Sequence, residues 1–187
     1  ARKEMKKESI EKLRKIYGYL ASLTIFVTII HLIGFILFQS FAAYDSVSLE
    51  YSNTYGMAFS FSASQFAMTL GSLKNDLGFV KLLGAITSVL LGLSIIFLST
   101  QAVKGNFLCH YIGVGLYILD TLFLLPEVIL SLQNKFPLKL SVAGISLSVL
   151  LHLVFLLILG YSLYIAIKLQ KAEKYIVGYN PKENKSL

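Results

Sequence analysis

Four ionisable residues stand well inside the apolar stretches of this chain, away from their first residues: His31, Asp120, Glu127 and His152. An ionisable side chain at membrane depth is costly, so it normally faces protein or water and marks a proton or ion path. Histidine changes charge near neutral pH and can hand a proton to a carboxylate, which makes these four the candidates for a relay. Two imidazoles with a carboxylate would also suit a metal, or a haem held by His31 and His152. Against these chemistries stands a structural use, in which Asp120 bonds one histidine and the network fixes how the helices pair. Asp120 and Glu127 share a helix face with Tyr117, Leu124 and Ser131, and lie about 10 Å apart along the axis. That is too far for a shared proton or a single metal clamp. His110, beside Tyr111 at the start of the same stretch, reads as an interfacial residue. No HExxH helix, GxSxG turn, Walker A loop or second cysteine accompanies these residues. Enzymatic catalysis is therefore not expected.

The elements that must position these side chains follow from composition. The 187 residues are 56% hydrophobic, with mean hydropathy +0.70 and only 14% charged. A soluble domain carries about 25% charged residues, so this chain lacks the polar surface that a water-soluble globule needs. The apolar residues cluster into four runs, 19–39, 79–100, 109–131 and 140–167, each long enough to cross a bilayer. The expected fold is an all-α membrane protein: a single domain of four transmembrane helices in a bundle. Spans two and three, joined only by residues 101–106, must be antiparallel neighbours. Residues 1–16 form a basic lead whose Ile10, Leu13, Ile16 and Tyr17 share a helix face, as in an interfacial helix or a solvated flank. Residues 40–77 form a long extracytoplasmic loop, too polar for a fifth span. Its partial alternation at Phe59, Ser60, Phe61 and Ser62 fits a short strand pair, an interfacial helix or a re-entrant piece. Residues 168–187 form a basic tail.

Small residues set the expected packing. Gly84, Ser88 and Gly92 repeat every four residues on the second span, and Gly144 and Ser148 do so on the fourth, followed by His152. Such faces let another helix approach closely. On the first span, Thr24, Thr28 and His31 make a stripe that should face other helices. Pro126 should weaken the third span locally. Cys109 is the lone cysteine, which excludes an intramolecular disulfide and reads as inert packing.

The net charge of +7 comes from basic residues at the two ends rather than from an aromatic-interleaved patch, so nucleic acid is not an expected partner. Seven Lys and Arg precede the first span, Lys104 follows the second, and five lie in the tail; Lys74, Lys81, Lys135 and Lys139 fall on the other side. Both termini are thus expected to be cytoplasmic, with a plasma membrane fitting more simply than an organelle. The leading expectation is a non-enzymatic subunit or accessory protein of a larger membrane complex. It would dock other membrane subunits, or a second copy of itself, through its small-residue faces and outer loop. The alternative is a small transporter or channel component with its ion or proton site at His31, Asp120, Glu127 and His152.

Overall fold

The computed structural model describes residues 2–41, 58–74, 76–132 and 142–175. Residues 42–57 of the long loop, the 133–141 connection with Lys135 and Lys139, and the tail beyond Tyr175 lie outside the described residues. The elements are α1 (Arg2–Phe41), α2 (Ser62–Gly71) with a 3-10 turn at Ser72–Lys74, α3 (Leu77–Val103), α4 (Phe107–Leu122), α5 (Leu124–Leu132) and α6 (Val142–Tyr175). Four stretches are long and apolar enough to cross a membrane: Glu8–Ile36, Gly78–Val103, Phe107–Leu130 and Val142–Lys174. The protein is an all-helical integral membrane protein with four candidate spans packed together. Large apolar side chains such as Phe26, Leu90, Phe97, Leu125 and Leu157 point outward, while Thr24, Thr28, His31, Asp120 and His152 are buried. That distribution is the one lipid selects, because lipid solvates hydrocarbon and leaves polar groups to find partners inside.

The lead and the first span form one helix. The i,i+4 spacing of Glu8 with Lys12 and of Glu11 with Lys15 favours helix through this lead. Ile10, Tyr17 and Ala21 pack on Ala102, Ile165, Ala166 and Leu169, at the ends of α3 and α6. Arg14 donates to Glu173 at 2.6 Å across the same junction. Residues 104–106 close a tight turn: Gly105, at φ +94°, donates to Ala102 and Asn106 to Gln101, satisfying the last carbonyls of α3. The Asn106 side chain then caps α4 by accepting from the Cys109 N–H at 3.2 Å. The spans form a ring in which α1 packs on α3 and α6, and α4 packs on the same two.

The third span is interrupted. Helix α4 ends at Leu122 and α5 begins at Leu124, with Pro126 its third residue. Proline has no N–H to donate back and tolerates only the first turn of a helix, so a new helix starts just ahead of it.

The other departure from a plain bundle is α2. It packs on α3, α4 and α5, and its N-terminus reaches the middle of the bundle. Phe61 there is fully buried among Val27, Ile95, Val114, Tyr117 and Leu159. Of the three forms expected for this stretch, the structure has a helix that dips among the spans and leads back out to α3.

Candidate functional site

Irregular backbone at membrane depth survives only where protein satisfies it. The turn entering α2 meets that demand. The Phe59 carbonyl accepts from His31 Nδ1, the Phe61 carbonyl from the Gln65 N–H at 3.1 Å, and the Ser60 carbonyl from Gln65 Nε2 at 3.4 Å. Gly34 makes the approach feasible: a Cβ there would stand 2.5 Å from Phe59 Cβ and 2.6 Å from its carbonyl carbon.

Helix α2 starts with Phe61 at its N-cap, which has no polar side chain to receive the free N–H groups of the first turn. Asp120 does so from another helix, its Oδ1 accepting from the Ala63 N–H at 2.8 Å. Its other oxygen, Oδ2, lies 3.3 Å from His152 Nε2. Ser62 Oγ is 3.0 Å from the same nitrogen, and His152 Nδ1 is 2.8 Å from the Ser148 carbonyl. His31 Nε2 is 2.7 Å from the Tyr117 hydroxyl, and the rings of His31 and His152 are 4.9 Å apart between centroids. His31, Asp120 and His152, from three spans, therefore meet in one buried cluster.

Hydrogen-bond accounting assigns the protons, since each imidazole nitrogen either donates or accepts. His31 Nδ1 faces a carbonyl and must donate, so Nε2 accepts from the Tyr117 hydroxyl. This ring is satisfied in its neutral form. His152 Nδ1 also faces a carbonyl and must donate. Its Nε2 then faces both the Ser62 hydroxyl at 3.0 Å, which can donate to it, and Asp120 Oδ2 at 3.3 Å. A neutral ring can accept there from Ser62, while a proton placed between imidazole and carboxyl would turn the Asp120 contact into a hydrogen bond. The Asp120–His152 contact thus sets a carboxyl and an imidazole within reach of one short proton transfer.

Glu127 stands apart on α5. Its Oε1 accepts from the Thr69 hydroxyl at 2.9 Å, while Oε2 is buried without a hydrogen-bond partner. Each of the four residues picked from sequence thus bonds the inserted segment: His31 at Phe59, His152 at Ser62, Asp120 at Ala63 and Glu127 at Thr69. His110 is buried too, its Nε2 donating at 3.0 Å to Ser162 Oγ, whose own proton goes to the Leu159 carbonyl.

All four nitrogens of His31 and His152 and both Asp120 oxygens are engaged. Among the described residues no group of three or more His, Cys, Asp and Glu is arranged to hold a metal ion. A haem or metal bridging the two histidines would have to displace this network, so the residues present do not fit one.

The small-residue faces are used inside the chain. Gly84 meets Met68 and Phe35, Gly92 meets Leu32, and Ser88, Gly144 and Ser148 are buried. The Gly84 carbonyl also accepts from Ser64 Oγ at 3.0 Å. Gly34, Ser62, Ala63 and Thr69 are the site residues that sequence reading missed. Only the Ser-rich stretch around Phe61, polar yet flanked by aromatics, signals their place.

No family model matches the chain, and no curated protein or solved structure shows significant similarity to it.

Proposed function

We propose that this protein moves protons or small ions across a membrane, as a small transporter or channel component, with its working centre at His31, Asp120 and His152. The observation that supports this most directly is the Asp120–His152 pair, a buried carboxyl and imidazole 3.3 Å apart at the tip of an inserted helix. Interrupted helices ending near mid-depth are a recurring way to build ion sites in transporters. Helix four and its continuation add a second support: His110, Tyr117, Asp120 and Glu127 are all buried along this span. Seventeen residues of helix cover about 25 Å, most of the hydrocarbon thickness. By the positive-inside rule this span runs from the cytoplasmic His110 to an outer Glu127.

The test is dissipation of an imposed pH gradient by purified protein in liposomes. Wild-type protein should collapse the gradient, and Asp120→Asn should fall to the rate of protein-free vesicles while keeping its helical circular dichroism. Wild-type flux in Asp120→Asn, or none in the native protein, would sink the proposal.

The accessory-subunit reading keeps a narrower basis. The Cα positions of Gly115 and Gly160 face open space, where a partner helix could approach closely. A stoichiometric membrane partner retained in gentle purification would favour it.

A further inference from the structure

We infer that Glu127 is a second proton-exchange site, reached from the end of the bundle where α2 leads into α3, and that the species this protein handles is the proton rather than a metal cation. The inference deepens the relay reading, and rests on it only for the use made of the proton; Glu127's own surroundings carry the site itself. The residue is 1% exposed, with one carboxyl oxygen anchored by Thr69 and the other without any hydrogen-bond partner. Helix α5 packs on α2 and α4. Helix α2, SASQFAMTLG, brings no ionisable group, and Asp120, the other carboxylate of the same span, lies seven residues back along the same face. Lys74, in the turn after α2, lies over the Phe79 ring at 4.0 Å. No basic side chain among the described residues forms an ion pair with Glu127.

A desolvated carboxylate oxygen with neither donor nor cation is the expensive state of this group, and such a group tends to neutralise. Among the described residues no group of three or more His, Cys, Asp and Glu that could hold a metal ion includes Glu127. A proton needs only the vacant Oε2. In uptake, an O–H bond forms at Oε2 as an O–H bond of hydronium breaks; release returns the proton to water. Thr69 stays bonded to Oε1 throughout and holds the carboxyl in one orientation. The centre at Asp120 and His152 is closed to bulky ligands for a related reason, since every polar atom there already has a partner. A proton can enter and leave such a network without opening it.

The experiment is infrared difference spectroscopy of the full chain in liposomes during pH steps. The expected signal is the C=O stretch of a protonated carboxylic acid that grows as pH falls and shifts in D2O. It should vanish in Glu127→Gln and persist in Asp120→Asn. Thr69→Val, which leaves the acid in place, should move the band to higher frequency because the carbonyl loses its hydrogen bond. A band untouched by Glu127→Gln, or one indifferent to pH, overturns the inference. So does the lack of any such band in a sample where Thr69→Val also changes nothing. A titrating Glu127 band with no proton flux would sink the relay and leave the site standing, whereas flux that depends on Asp120 without a Glu127 band would do the reverse.

Discussion

Replacing Gly34 with alanine tests whether the inserted segment is as tightly seated on α1 as the structure has it. The added Cβ would lie 2.5 Å from Phe59 Cβ, 2.6 Å from its carbonyl carbon and 2.7 Å from its carbonyl oxygen. Carbon atoms in contact prefer about 3.5 Å, so the segment must retreat by about 1 Å. None of the obstructing atoms is the tip of a flexible side chain, so a rotamer change cannot relieve the overlap. Retreat from α1 carries the Phe59 carbonyl away from His31, which α1 bears, and breaks that hydrogen bond. Overpacking costs about 1–3 kcal/mol, and a buried donor left without its acceptor about 1–3 kcal/mol more. Alanine's better helix propensity offsets up to about 1 kcal/mol. The net expectation is a loss of about 1–6 kcal/mol, read from unfolding in mixed micelles. Gly160→Ala is the control, because its Cβ meets nothing within 4 Å and should be neutral or slightly stabilising. Equal stability of the two variants would refute the close seating of Phe59 on α1, and with it the bond that holds His31.

Two further expectations bear on the same architecture. Asp120→Asn keeps an acceptor for the Ala63 N–H and can donate to a neutral His152, so it should change stability by less than about 1 kcal/mol. Asp120→Leu removes both partners and should cost about 2–4 kcal/mol, from the lost cap and the stranded groups; matching losses in the two variants, measured by the same unfolding assay, would contradict the capping role. At the terminal end of the bundle, Arg14 and Glu173 form a partly exposed bond at 2.6 Å. A double-mutant cycle to alanine should return under about 1 kcal/mol of coupling, reduced further by salt, and a larger salt-independent value would mean the pair is desolvated.

Sequence alone determined the class of this protein and most of its candidate chemistry. Apolar run lengths define four spans, because a bilayer of fixed thickness demands them, and helical spacing puts Tyr117, Asp120 and Glu127 on one face whatever the partners are. The stripe of Thr24, Thr28 and His31 turns inward for the same reason: lipid rejects it. Tertiary structure alone decided which groups meet. Phe59 lies 28 residues from His31, Ala63 lies 57 from Asp120, and Ser62 lies 90 from His152, so no local pattern encodes those pairs. The stretch from Ala58 to Gly71 is too polar to face lipid, and its polarity makes sense only once docked onto the polar faces of three spans. Likewise Gly84 and Gly92 announce a close approach without saying to what. The chain itself supplies the occupants, Met68, Phe35 and Leu32, because filling those notches within the bundle is the nearest way to close-packed contact.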